Sequence, residues 1–143
     1  MSGYFDTAYI AKCYINESDS SRVRKLLRRL GGAHSSSLCL AEMASILLRH
    51  QREGALSREQ SDTLRTDFQA DIDAGVWTLL PVTDSLMARV AGRIAALAPH
   101  TYVRALNAVH LCAANESGFH EVWTNDRHML AAAAAFGLKG RSV

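Results

Sequence analysis

Residues 76–97, VWTLLPVTDSLMARVAGRIAAL, decide the fold. Val76 to Val82 is dense in branched and aromatic residues, and its proline falls near the end at Pro81, so the segment reads as a strand. Asp84 is placed to cap the helix that follows, with Leu86, Met87, Val90, Ala91, Ile94 and Leu97 inward and Pro99 just beyond its end. The same alternation runs outward in both directions. Upstream, Ser57 and Gln60 form a capping-box pair for a helix whose Leu64, Phe68 and Ile72 make a thin apolar stripe among Asp62, Asp67, Asp71 and Asp73. Before it, His34 to Ser37 reads as a brief strand. That strand runs into a helix with Leu40, Met43, Ala44, Leu47 and Leu48 as its buried face and Gly54 at its end.

At the amino-terminal end, Tyr4 and Phe5 form a short apolar piece that stops at Asp6 and Thr7, and Tyr9, Ile10, Cys13 and Tyr14 then fall at helical spacing. Ser20 or Ser21 caps a second helix with Val23, Leu26, Leu27 and Leu30 on one stripe, closed by Gly31 and Gly32. Downstream, a helix from Val103 to Asn115 precedes a strand at His120 to Thr124. A last helix runs from Arg127 to Phe136, and an edge strand follows between Leu138 and Val143. Strands alternating with helices specify an α/β fold, a three-layer α/β/α sandwich around a mainly parallel sheet with right-handed crossovers. No linker, repeat or low-complexity tract divides the chain, so residues 1–143 are read as a single domain.

Composition narrows the function classes. The chain has 143 residues, 48% of them apolar and 21% charged, which is globular and excludes wholesale disorder. No apolar run approaches the ~18 residues that span a bilayer, and no basic region precedes the first apolar stretch, so neither a membrane anchor nor a secretory signal is expected. Cys13, Cys39 and Cys112 are odd in number and form no C-x-x-C pair, the pattern of reduced thiols in a cytoplasmic protein. Net charge is only +2, yet 13 of the 16 basic residues are Arg, whose planar fork suits phosphate or carboxylate. The group Arg24, Lys25, Arg28 and Arg29 reads either as a solvated helix face or as a contact for RNA or a protein partner.

In a parallel sheet, ligands bind beyond the carboxyl ends of the strands, where the strand order switches. Asp6 follows the first strand and Asp126 the fourth, so both face one crevice. Glu42 lies one turn into the helix after the second strand, and Asn107 lies on the helix before the fourth, one turn from His110. Converging carboxylates of this kind suit a hard cation, Mg²⁺ or Mn²⁺. The plainer reading of Asp6 and Asp126 is capping, since each directly precedes a helix. His110 reads as a partly buried histidine and not a ligand. Trp77 and Trp123 read as core.

The ordered set resembles the PIN domain, specifically the VapC type of toxin endoribonuclease. Tyr4-Phe5-Asp6-Thr7-Ala8 is similar to that family's opening strand and first acidic residue, Leu40-Ala41-Glu42-Met43 to its second, and Trp123-Thr124-Asn125-Asp126-Arg127 to its T-x-D motif. Arg104 to Leu111 is similar to its most recognisable helix. The family normally carries Asp where this chain has Asn107, and an amide brings no charge and is a far poorer proton acceptor. The haloacid dehalogenase reading fails because its second Asp is replaced by Ala8, and the receiver-domain reading fails for want of a neighbouring acidic pair.

The resemblance implies a Mg²⁺-dependent endoribonuclease, with Mn²⁺ as a second candidate ion. Asp6, Asp126 and Glu42 would bind the metal, Asn107 would complete the catalytic set, and Thr124 would donate a hydrogen bond to ligand or phosphate. It implies an RNA substrate, a VapB-like antitoxin in an apolar groove between the early helices, and a homodimer built on peripheral helices such as the Leu64, Phe68 and Ile72 stripe. Asn107 keeps a second reading open: a catalytically silent module on the same fold that binds RNA or antitoxin without turnover.

Overall fold

The computed structural model describes residues 2–143. The elements are β1 (Tyr4–Phe5), α1 (Thr7–Tyr14), α2 (Ser20–Leu30), β2 (Ala33–Ser36), α3 (Leu38–Arg52), α4 (Arg58–Asp73) and β3 (Trp77–Leu80). They continue with α5 (Asp84–Ala95), α6 (Ala105–Glu116), β4 (Glu121–Trp123), α7 (Arg127–Ala132), a 3₁₀ turn (Ala133–Phe136) and β5 (Lys139–Arg141). The strands lie in the order β3-β2-β1-β4-β5, and every pair is parallel. The chain winds one way from β1 to β3 and the other way from β1 through β4 to β5, so the order reverses between β1 and β4. A crevice therefore opens past Phe5 and Trp123.

The two residues of β1 divide the core. Tyr4 faces α5, α6 and α7, where it is buried with Leu86, Val90, Leu111, Val122, Met129 and Phe136. Phe5 faces α1 to α4, with Ile10, Val23, Met43, Leu47, Phe68 and Trp77. Successive strand side chains point to opposite faces, so a sheet covered on both sides needs apolar residues at consecutive positions. α6 is buried at every position from Ala108 to Ala114, which explains its lack of a polar face.

Capping follows the sequence at α4 but not at α2, where Ser20 and Ser21 are already helical, the cap position is Asp19 and no side chain caps the helix. Ser57 and Gln60 bond reciprocally at the start of α4. Gly32 sits at φ +123° where an added Cβ would lie 2.9 Å from the Val76 carbonyl oxygen, so the entry to β2 requires glycine.

Other expectations need correction as well. On α3 the buried residues are Cys39, Met43 and Leu47, while Leu40 and Leu48 are 46% and 58% exposed and Ala44 faces solvent. On α5, Leu86 and Val90 are buried but Met87 and Ala91 are exposed. Its cap is Thr83, whose hydroxyl accepts from the Leu86 N–H, and Asp84 is the first helical residue. The last helix also tightens into a 3₁₀ turn at Ala133, before its end at Gly137. Among the described residues no helix is long and apolar enough to cross a membrane, and the three cysteines are free.

Candidate active site

Asp6 leaves β1 with extended backbone and caps α1, its Oδ1 accepting the Tyr9 N–H at 2.9 Å. Its other oxygen accepts the Thr124 hydroxyl at 2.5 Å, and its own N–H donates to the Trp123 carbonyl. The Thr124 oxygen in turn accepts the Asp126 N–H at 2.9 Å. Asp126 caps α7, Oδ1 taking the N–H groups of His128 and Met129, while Oδ2 makes no hydrogen bond among the described residues. Capping and site geometry are thus one arrangement. Each cap holds its carboxylate at the carboxyl edge of the sheet, and Thr124 ties the two strand ends together.

The two carboxylates differ in environment. Asp126 is exposed, whereas Asp6 is buried. Burial pushes the Asp6 carboxyl above its ordinary range, against the bonds from Thr124 and Tyr9, while the nearby charge of Glu42 pushes it further up. Among the described residues no Lys or Arg forms an ion pair with Asp6.

Glu42, on the second turn of α3, reaches the same place from the β2 side. Its Oε1 accepts the Thr7 hydroxyl at 2.7 Å and lies 2.6 Å from Nε2 of His110. Because a carboxylate only accepts, Nε2 carries the hydrogen, shared with Thr7 Oγ1 at 3.3 Å. On the far side of the ring, Nδ1 lies 2.7 Å from the Tyr4 hydroxyl and 3.4 Å from Ser36 Oγ. Burial drives the Tyr4 phenol far above its ordinary value, so it stays protonated and donates to Nδ1. Burial alone would raise Glu42, but the hydrogen bonds from His110 and from the Thr7 hydroxyl outweigh it and hold the carboxyl below its ordinary range.

The structure therefore joins Asp6, Thr124 and Asp126 in one chain of bonds and Glu42 with His110 in another, Asp6 and Glu42 lying within electrostatic range. Asn107 is half-buried on α6, one turn before His110, with no side-chain hydrogen bond among the described residues. Two elements of the site were not read from the sequence. His110 is buried to 1% exposure and is Glu42's direct partner. Asp19 caps nothing; it binds Lys12 at 2.8 Å and accepts the Asn125 amide at 2.5 Å, holding the segment that presents Asp126. The Tyr9 hydroxyl bonds Asn125 as well, donating to its Oδ1.

A carboxylate buried as deeply as Asp6, with no cationic side chain of its own, fits a site that receives a positive ion. The donors are oxygens, as a hard cation prefers. Their number is low. Among the described residues no three carboxylate, imidazole or thiol side chains lie close enough to hold an ion unaided, and position 107 supplies an amide.

Comparison with known proteins follows the same outline. The search of curated proteins finds no match. Six solved chains are similar, among them one from "Structure of FitAB bound to IR36 DNA fragment", 18% identical with a TM-score of 0.69, over 99% of this chain and 94% of that one. At that identity the likeness is one of fold. The family model for the PIN domain matches residues 4–135, a span that begins in β1 just before Asp6 and runs past Asp126 into the 3₁₀ turn. Covering β1 to β4 and every residue of the candidate site, that match shows that the chain belongs to the PIN-domain family.

Proposed function

We propose that this chain is a metal-dependent endoribonuclease, the toxin of a VapC-type toxin–antitoxin pair, with Asp6, Glu42, Asn107 and Asp126 as its working set. The observation that carries the reading is the buried Asp6 carboxylate, fixed by Thr124 beside Asp126 at the reversal of strand order. PIN domains are generally nucleases that use divalent metal ions. The fold likeness to a chain of FitAB, solved with a DNA fragment, supports a toxin–antitoxin setting linked to nucleic acid.

Asp6 and the free oxygen of Asp126 would hold the ion, Mg²⁺ or Mn²⁺, with Glu42 at its margin. Bound there, the ion supplies an acidified water and charge neutralisation at a phosphate. The chain's own residues set the geometry. Thr124 fixes the Asp6 carboxylate, the α7 N–H groups orient Asp126, and His110 with Thr7 pins Oε1 of Glu42, which leaves Oε2 free for the ion or its water. Asn107 contributes an amide oxygen that positions water but accepts a proton poorly.

RNA is the substrate in this reading. A small antitoxin would occupy the groove lined by Tyr14, Ile15, Leu56 and Leu64 between α1, α3 and α4. The Leu64, Phe68 and Ile72 stripe packs into the chain's own core and is not free for a second copy, so the exposed Leu40 and Leu48 of α3 would supply that apolar surface instead. The amide at 107 and the shortage of gathered ligands favour one alternative, a PIN module that binds RNA or antitoxin without turnover. Cleavage of RNA with Mg²⁺ and with EDTA, by this chain and by Asn107→Asp, separates the two. Activity in either protein that vanishes with EDTA supports the nuclease, and none in both supports the silent module.

A further inference from the structure

The outer face of α2 is the strongest charge feature outside the crevice. Ser20–Leu30 carries Arg22, Arg24, Lys25, Arg28 and Arg29 and no acid, five positive charges in a chain whose net charge is +2, so the remainder is net negative by three. Across the same helical layer α4 holds five acids against two arginines. Among the described residues, none of the five basic groups of α2 is in an ion pair. Arg24 instead bonds Asn16 and the Lys12 carbonyl. Structural ion pairing therefore does not account for the clustering.

Arg22, Lys25 and Arg29 fall at i, i+3 and i+7 and line one groove with Leu26 and Val143. From Arg22 to Arg29 the stripe spans about 10 Å, long enough to meet more than one successive phosphate of a nucleic-acid strand. It also abuts the candidate active site. Asp19, immediately before α2, accepts the side-chain amide of Asn125, and the Val143 N–H donates to the Tyr9 hydroxyl, which bonds Asn125 too. Asn125 directly precedes Asp126. A polyanion would be repelled by Asp6, Glu42 and Asp126, and a run of free cations beside that cluster offsets the repulsion.

We infer that the Arg22, Lys25 and Arg29 face of α2 is a docking track for the phosphate backbone of single-stranded RNA, leading it to the crevice at Asp126. The inference deepens the nuclease reading and rests on it for the identity of the nucleic acid. The track reads charge and not sequence, since these side chains meet phosphates.

The test uses the full chain and a fluorescein-labelled 20-nucleotide single-stranded RNA in EDTA, with anisotropy followed from 50 to 200 mM salt. Lys25→Glu/Arg29→Glu is expected to weaken binding at least tenfold and flatten the salt dependence, by about 0.7 in log–log slope for each phosphate that is no longer neutralised. Lys25→Gln/Arg29→Gln should give a smaller loss in the same direction, with unchanged circular dichroism showing that the helix persists. Arg65→Glu on α4 should change nothing. Equal affinity and slope for parent and α2 variants would overturn the inference, as would absence of RNA binding by the parent at 50 mM salt. It would also be overturned if the variants lost binding to polyglutamate but not to RNA, which would make the face a protein contact. Cleavage by Asn107→Asp with Mg²⁺ is scored separately: binding through α2 without cleavage sinks the nuclease reading alone, and cleavage with binding indifferent to α2 sinks the track alone.

Discussion

Nε2 of His110 lies 2.6 Å from Oε1 of Glu42, joining α6 to α3 across 68 residues of sequence. The bond fixes a carboxylate of the candidate site through a side chain buried in the core layer. Replacing His110 by Ala would leave the Tyr4 hydroxyl without its acceptor, take a donor from Glu42 and open a cavity. The expected loss is about 2–4 kcal/mol of stability, measured by urea denaturation. His110→Gln, which keeps an N–H for Glu42, should recover part of it; a loss below ~1 kcal/mol for the Ala variant would show that the network contributes little.

Asn107→Asp should raise RNA cleavage by on the order of 10²-fold at saturating Mg²⁺, because it returns a carboxylate acceptor and a negative charge to the crevice. In the metal-free protein one more negative charge, if it joins Asp6 and Glu42 as the proposed set requires, should leave stability equal or lower. Single-turnover cleavage and thermal melting in EDTA measure the two halves. Equal cleavage rates would remove position 107 from the working set.

Asp6 and Glu42 should give opposite pH dependences of stability. The Asp6 carboxyl is raised in the folded protein, so the native state holds that proton more tightly than the unfolded chain. Its contribution is fully present below the ordinary Asp range and is lost as pH climbs through the raised folded value. Asp6→Asn should therefore melt higher than the parent at pH 7 in EDTA, and the advantage should vanish near pH 3. Glu42 is lowered, so its contribution is present above the ordinary Glu value and is lost as pH falls through the folded one. Glu42→Gln should flatten the acid limb of the stability curve.

Adding Mg²⁺ should raise the parent's melting temperature, since a ligand that binds only the folded chain stabilises it by mass action. The increment should be absent in Asp6→Asn and larger in Asn107→Asp. Calorimetric melting across a Mg²⁺ titration reads all three, and an unchanged parent together with an unchanged Asn107→Asp would count against an ion at Asp6.

Asp19→Ala should destabilise the fold by about 2 kcal/mol, because it frees the Lys12 ammonium and the Asn125 amide from a shared, largely buried acceptor. The Lys12 bond holds the Asp19 carboxyl below its ordinary range, helped by Asn125. Removing the anchor of Asn125 should also lower cleavage in the Asn107→Asp background, through displacement of Asp126. Urea melts and cleavage rates on the double variant test both effects.

Most elements were legible because local signals mark them: the Ser57 and Gln60 box, the glycines after α2 and α3, and the β-branched run of β3. The error on α3 has a definite origin. Leu40 and Leu48 widen the apolar arc beyond the buried one, so periodicity identifies the helix but misplaces the centre of its buried face toward them and away from Cys39. Thr83 and Asp84 are both good capping types, and only the extended backbone at Thr83 distinguishes them. Asp6 and Asp126 could be placed from their positions after strands. The partnerships of His110 with Glu42 and of Asp19 with Asn125 join residues far apart in the chain, and no local pattern announces such pairs.

The brevity of β1 bears on the order of biosynthesis. Tyr4 and Phe5 precede every other strand, yet theirs is the middle strand of the sheet and pairs with β4, while the Asp6 carboxylate is held by a hydroxyl 118 positions later. A nascent chain that has emerged only as far as α5 can assemble β1 to β3 but has no Thr124 and no Asp126. Contacts of such long range form late and slowly. A chain made only as far as α5 holds Asp6 and Glu42 without Asp126, so on the proposed nuclease reading it lacks the working set.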